Sequence, residues 1–254
     1  MPATAALRPA FRAFGAIPGR LRPSVVALGF VVFVAGTQTG ALASSRDALL
    51  WVRDYALHAN FHEVVPGELF RSAEMSHEHL AATIRDYAIA TVVDLRNGEP
   101  DPDESGRTEK DIVAAAGAAY VHVPLLSSKV PSRARLLELL DVFERSEKPI
   151  LVHCSSGALR TGVASAIWLL TEEGAPPFEA VDQLDVRYGY TWIETALRRW
   201  QHGFDPLATI LDTYTVANRT EAIAFRAWVE AGSDGYNAAG IRQFFPRGEH
   251  PDAS

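Results

Sequence analysis

One cysteine and one arginine, six positions apart, can do chemistry together in this chain. Cys154 is the only cysteine of 254 residues, and Arg160 follows it across Ser155-Ser156-Gly157-Ala158-Leu159. Pro149 to His153 reads as a short apolar strand, and a helix is expected from about Arg160 to Glu172. The five residues between Cys154 and Arg160 can curl around one tetrahedral dianion. Their backbone N–H groups, from Ser155 to Arg160, would then point inward as an anion nest at a helix N-terminus. Gly157 allows backbone geometry that a Cβ would forbid. Arg160 returns at the far lip, where its planar fork matches two oxygens of a phosphoryl group. The same positive potential favours a thiolate at Cys154, lowering a thiol from about 8.5 into roughly 3.5–7.5. A thiolate can attack phosphorus directly. Thr161 is placed to hydrogen-bond the sulfur, and His153 to orient the loop. Nucleophile, substrate cradle and charge stabilisation thus come from one short segment.

The lone cysteine excludes an internal disulfide and a multi-cysteine zinc site. Net charge is −7, although residues 1–43 carry Arg8, Arg12, Arg20 and Arg22 and no acid. The rest of the chain is therefore more acidic still. No basic patch is available to neutralise phosphates along a duplex, which argues against a nucleic-acid partner. With 48% hydrophobic and 22% charged residues the composition is globular. A catalytic core of roughly 150 residues needs no covalent staples to fold.

Elements must position this loop. Residues 1–48 form a basic tail and an apolar stretch, Val25 to Ala35, closed by Thr37-Gln38-Thr39 and the small-x-small run Ala41-Leu42-Ala43. That is a signal-peptide layout, and from Val25 to Ala43 it is also long enough to be an uncleaved membrane anchor. Either reading puts the basic end inside and the body across the membrane, periplasmic or exported. Residues 49–203 alternate strands and helices. Val64 to Phe70 is a short strand pair broken at Pro66-Gly67, His77 to Tyr87 a helix, and Ile89 to Leu95 a buried strand. Asn97-Gly98, Pro100, Pro102 and Gly106 break a loop over 96–107. A helix over Thr108 to Ala116 and a strand over Tyr120 to Pro124 follow. Ser132 opens a helix whose Leu136, Leu139, Leu140 and Phe143 share one face. Past the loop, helices are expected over Pro177 to Val186 and Trp192 to His202, with a helical extension and tail over 204–254. The fold class is α/β: a mostly parallel central sheet of about four to five strands, with helices on both faces and an N-terminal hydrophobic helix.

With these residues in hand, the chain resembles the protein tyrosine and dual-specificity phosphatase superfamily, whose loop reads His-Cys-x5-Arg-Ser/Thr. It is closest to bacterial, membrane-associated dual-specificity-like phosphatases. Phe61 to Ala73 resembles the family's opening segment, Thr91 to Arg96 its second core strand, and Ala180 to Tyr190 its helix after the loop. The resemblance implies a cysteinyl-phosphate intermediate, no metal, and a substrate that is a phosphorylated protein or a small phosphomonoester. Cys154, Arg160 and Thr161 are then catalytic, and Ser155 to Arg160 bind the phosphoryl group. Membrane contact would come through the N-terminal segment if it stays uncleaved.

Two departures stand out. Leu159 occupies a position where relatives often carry a charge, which weakens the case for highly phosphorylated inositols, and a phosphatase of inositol phosphates or phosphoinositides stays as an alternative. The loop after the Tyr120 strand, Leu125-Leu126-Ser127-Ser128-Lys129, lacks the family's aspartate general acid. Asp101, Asp103 and Glu104 are the candidates to replace it, with Asp103 taken as the acid. Without such an acid the protein would be slow, limited to good leaving groups, or a phosphate-binding pseudophosphatase. Arg71 and Arg96 each sit at the end of an expected strand and are either phosphate contacts or ion-pair arginines. Arg96 is taken as a phosphate contact.

Overall fold

The computed structural model describes residues 58–98, 102–103, 105–190, 205, 207–220 and 222–231. All of them fall within one compact unit, Leu49–Ser254. The expected N-terminal hydrophobic helix and the Trp192 to His202 helix lie outside the described residues. Among the described residues no helix is long and apolar enough to cross a membrane.

A five-stranded sheet forms the centre. Strands β1 (His62–Val65) and β2 (Leu69–Ser72) make an antiparallel hairpin at one edge. Next come β5 (Ile150–His153), β3 (Thr91–Asp94) and, at the other edge, β4 (Ala119–His122), in the order β1-β2-β5-β3-β4. The β2–β5, β5–β3 and β3–β4 pairs are parallel. Every residue of β2, β3 and β5 is buried, because helices cover both faces. Side chains alternate across a strand, so each strand feeds two cores. Phe70, Val92 and Leu151 pack with Leu80, Ile84 and Val113 on one face. Leu69, Val93, Ile150 and Val152 pack on the other against the larger cluster. The mostly parallel sheet with helices on both faces is the expected class.

Helices start where polar side chains accept orphan N–H groups. Ser76 caps α1 (His77–Asp86), and Ser132 caps α3 (Arg133–Arg145). Thr108 and Asp111 form a reciprocal capping box on α2 (Glu109–Ala115). The central helix is α4 (Leu159–Thr171), buried almost all round. Its small residues, Gly162, Ala164, Ser165 and Ala166, let neighbours approach closely. Trp168 meets Phe143 of α3 edge-on, with ring centres 5.1 Å apart.

The segment after α4 departs from expectation. In place of one helix over Pro177 to Val186, a short α5 (Pro177–Ala180) passes into two 3₁₀ turns, Val181–Gln183 and Val186–Tyr188. The Asp185 side chain accepts from the Arg187 N–H, a local bond that competes with helix. Farther on, α6 (Thr209–Thr220) and α7 (Phe225–Ala231) join the larger core through Ile210, Leu211, Tyr214, Phe225 and Trp228. Arg226 ties α7 to Asp141 and Glu144 of α3 at 3.0 and 2.9 Å.

Candidate active site

Strand β5 ends at His153 and delivers Cys154 into the carboxyl edge of the sheet, 1% exposed. Open α/β sheets place ligands at this edge. Four residues then lead to α4. The carbonyls of the last three, Ser156, Gly157 and Ala158, are engaged by two buried side chains. Asn60 Nδ2 donates to Ser156 O (3.3 Å) and to Tyr188 O (2.9 Å). Arg71 Nη2 donates to Gly157 O (2.7 Å) and to Ala158 O (3.4 Å). A planar trans peptide holds its N–H opposite its C=O, so these ties aim the N–H groups of Gly157, Ala158 and Leu159 into the loop. No side chain caps α4, which leaves its first N–H groups for an anion.

Gly157 is required here. Its φ is +68°, and a Cβ would stand 2.6 Å from Ala73 N and 2.8 Å from Ser72 O. The loop therefore lies directly on the end of β2. Arg160 reaches back over the mouth, its Nη2 3.2 Å from Ser155 Oγ and its Nη1 3.4 Å from Leu95 O. Among the described residues no carboxylate pairs with it, so its charge is available to a ligand.

Burial pushes the Cys154 thiol up, yet the Arg160 charge, the Thr161 hydroxyl and N–H, and the Ser156 N–H outweigh burial and hold it below the ordinary thiol range. This is the environment of a thiolate nucleophile.

Behind the sulfur lies a buried charged network. His153 Nε2 stands 2.8 Å from Glu109 Oε1 and 3.9 Å from Asp94 Oδ1. Burial disfavours the imidazolium, but Glu109 and Asp94 raise His153 above its ordinary value. Arg96 bonds Asp94 through Nε and Nη2, Glu109 at 2.5 Å, and Glu74 at 2.8 Å. Tyr120 donates to Asp94 Oδ2 at 2.8 Å.

Arg96 is thus not a second phosphate contact. Three carboxylates engage its guanidinium, and it helps to hold β3, α2 and β5 together under the loop. Asp94, Glu109 and His153 bring ligand atoms within 4.8 Å of one another, but the positive charge between the two carboxylates is already supplied by Arg96.

Asp103 is not poised as a general acid. Its Oδ1 accepts from the Ser105 hydroxyl and N–H and from the Arg107 N–H, and its Oδ2 from His77 Nδ1 and Arg107 Nη2. Ser105, His77 and Arg107 together hold it well below the usual carboxylate range. A group so firmly ionised has no proton to give near neutral pH. Asp101 and Glu104 lie outside the described residues.

Cys154, Arg160, Thr161 and the loop from Ser155 to Leu159 come together as their spacing implied. Asn60, Glu109 and Gln183 also support the loop and belong to no motif in the sequence. The partners that tie them to the loop lie far along the chain: Ser156 for Asn60, His153 for Glu109 and Arg71 for Gln183. Asn60 takes a left-handed conformation (φ 53°), which asparagine tolerates and which gave no motif to read.

Residues 68–174 match the protein family described as polymorphic toxin system, DSP-PTPase phosphatase. Over those residues the chain is similar to phosphatase domains of the dual-specificity and tyrosine phosphatase kind. No curated protein matches the chain in sequence. Among solved structures it is similar to TpbA of P. aeruginosa, with 21% identity over 63% of this chain and 91% of that one (TM-score 0.44). It is also similar to the core catalytic domain of the PP-IP phosphatase SIW14 from S. cerevisiae, at 21% identity over 63% and 93% (TM-score 0.44). Tk-PTP matches at 22% identity over 63% and 97% (TM-score 0.44). At these identities the likeness says nothing of substrate.

Proposed function

We propose that this phosphatase is cysteine-dependent and hydrolyses phosphomonoesters of phenolic leaving groups, phosphotyrosine foremost and phosphoserine or phosphothreonine more slowly. The observation that carries this reading is the depressed Cys154 thiol inside a loop whose carbonyls are tied outward by Asn60 and Arg71. The Cys154 thiolate attacks phosphorus. The S–P bond forms, the P–O ester bond breaks, and the leaving oxygen takes up a proton from water or a nearby acid. Arg160 and the loop N–H groups hold the three non-bridging oxygens throughout. Water then attacks phosphorus, the S–P bond breaks, and phosphate and the thiolate are released. Thr161, hydrogen-bonded to the sulfur, eases that departure.

Leaving-group preference follows from the proton supply. The segment Leu125 to Pro131 holds no carboxylate, and hydrogen bonds from Ser105, His77 and Arg107 hold Asp103 below the usual carboxylate range. General-acid help is worth about 10²–10⁴-fold, and alkyl oxygens need it most. Phenols depart with less assistance. The test is turnover of an aryl phosphate, a phosphotyrosine peptide, a phosphoserine peptide and inositol hexakisphosphate, alongside Cys154→Ser and Arg160→Ala. Loss of activity in both variants and a clear aryl preference are expected. Turnover surviving Cys154→Ser sinks the mechanism.

The missing carboxylate also favours one other reading, a phosphate-binding pseudophosphatase. Saturable phosphopeptide binding with no phosphate release across a pH scan would select it.

The same proposal has the domain act beyond a membrane, supported by the basic-then-apolar segment at 8–43. N-terminal sequencing of the membrane and exported fractions tells a cleaved signal from an anchor, and recovery of intact chain from the cytoplasm alone overturns export.

A further inference from the structure

Arg71 is a fully buried cation beside the loop, and its surroundings are unusual. It lies in the middle of β2. Among the described residues its hydrogen bonds go only to neutral acceptors. These are Gln183 O (2.9 Å) and Gln183 Oε1 (2.8 Å), with Gly157 O and Ala158 O of the loop. Its Nε is buried without a hydrogen-bond partner. The guanidinium stacks 3.9 Å from the centre of the Tyr188 ring. A buried ion without a counter-charge is costly. Arg96, a buried arginine two residues past the end of β3, has three carboxylates, while among the described residues Arg71 has none.

We propose that Arg71 is a positioning residue whose counter-charge is the active-site anion itself, first the Cys154 thiolate and then the phosphoryl group, which it serves from behind the loop without touching substrate. The inference rests on Cys154 being the nucleophile. Both halves of the role come from one side chain. Its hydrogen bonds turn the Gly157 and Ala158 carbonyls outward, which aims the following N–H groups inward. Its charge, with no carboxylate to quench it, acts through a dry interior where it is weakly screened.

The charges around the pair are consistent with this. Facing Arg71 are Cys154 from the loop and Tyr188 and Arg187 from the last 3₁₀ turn. Burial lowers the guanidinium to about 10, with Tyr188 and Cys154 opposing that fall and Arg187 adding to it, so it stays cationic at neutral pH. Facing Cys154 are Arg160 and Thr161 from α4, and across β5 the group of His153, Glu109, Asp94 and Arg96. With Glu74 also on Arg96, that network has three carboxylates and at most two cations, so it has no positive charge to spare even when His153 is protonated. The cations left to offset a thiolate are then Arg160 in front and Arg71 behind.

The experiment titrates the thiolate by its ultraviolet absorbance, which is unambiguous because Cys154 is the only cysteine, with Cys154→Ser as the blank. Arg71→Gln keeps donors and removes charge, so its midpoint should rise by about one unit or more. Arg71→Lys keeps charge and loses the fork, so its midpoint should stay nearer the wild type while kcat falls. Gln183→Glu leaves Arg71 in place and gives it a carboxylate partner of the same shape. It should also raise the midpoint, and it keeps the inference testable if Arg71→Gln does not fold. Asn60→Ala, which frees the Ser156 carbonyl without changing charge, should move the midpoint least. An unchanged midpoint in folded Arg71→Gln or in Gln183→Glu overturns the counter-ion role, as do equal shifts in Arg71→Gln and Arg71→Lys. An ordinary thiol midpoint in the wild type overturns the nucleophile reading as well, so the two failures are distinguishable.

Discussion

At the scale of single residues, what was legible is what acts through its immediate neighbours. Cys154, Arg160 and Thr161 lie on a loop, strand and helix that are contiguous in the chain, so their placement is a local matter that pattern can record. Asp103 and Arg96 misled for the opposite reason. A carboxylate in a loop looks available until Ser105, Arg107 and the distant His77 close on it. An arginine after a strand looks free until Glu74 and Glu109 reach it. Asp103→Asn is therefore expected to leave kcat within a few-fold of wild type. A fall approaching the ~10²-fold typical of a lost general acid would restore Asp103 to the chemistry. Gly157→Ala is expected to do much more. It strains a φ of +68° and drives a methyl into the backbone of Ser72 and Ala73, at about 1–3 kcal/mol. The relief available is to lift the loop off β2, which spoils the aim of its N–H groups. Affinity for inorganic phosphate or vanadate should fall sharply at temperatures where far-ultraviolet circular dichroism still reports a folded domain. Unchanged affinity would mean that the loop does not need its seat on β2.

At the scale of elements, strands and helices followed from pattern wherever a single face decided the outcome. The Leu136-Leu139-Leu140-Phe143 face is buried as its spacing required, and the apolar runs became the buried strands β3 and β5. The segment over 177–188 failed because its conformation is set from outside. Arg71, more than a hundred residues earlier, takes both the main-chain and the side-chain oxygen of Gln183, and local periodicity cannot record that. The packing behind it is tight. A Cβ at Gly162 on α4 would meet Gln183 O and Leu184 Cδ2, each at 2.7 Å. Gly162→Ala should accordingly gain nothing from better helix propensity and cost about 1–3 kcal/mol by overpacking, measured by urea unfolding. It should also lower kcat, since displacing Gln183 loosens the seat of Arg71. A stabilised variant of normal activity would show that the 3₁₀ turn can yield without consequence to the loop.

At the scale of the whole molecule, the network under the loop joins β3, β4, β5 and α2 through charges that titrate in opposite directions. Burial alone would raise Asp94, but the Arg96 hydrogen bonds and the His153 charge bring it from 3.8 down to about 2. Glu109 is lowered too, against its own desolvation, by His153 and Arg96. A carboxylate depressed on folding contributes stability that is complete above its unfolded value and lost as pH falls through its folded one. For Asp94 that window runs from about pH 4 to about pH 2, with a loss on the order of 2 kcal/mol. His153 has the other sign. Raised above its ordinary 6.5, it contributes fully below that pH, and its share is lost as pH climbs through its folded value. Stability measured by urea unfolding should therefore form a dome, with its acid limb set by Asp94 and Glu109 and its alkaline limb by His153. Asp94→Asn should lower the dome at neutral pH, because Arg96 and Tyr120 lose a charged partner, and should flatten the acid limb. His153→Gln should flatten the alkaline limb and leave the acid one standing. If both variants keep the wild-type profile, the network does not titrate with folding, and the charges beneath the loop are already matched in the unfolded chain.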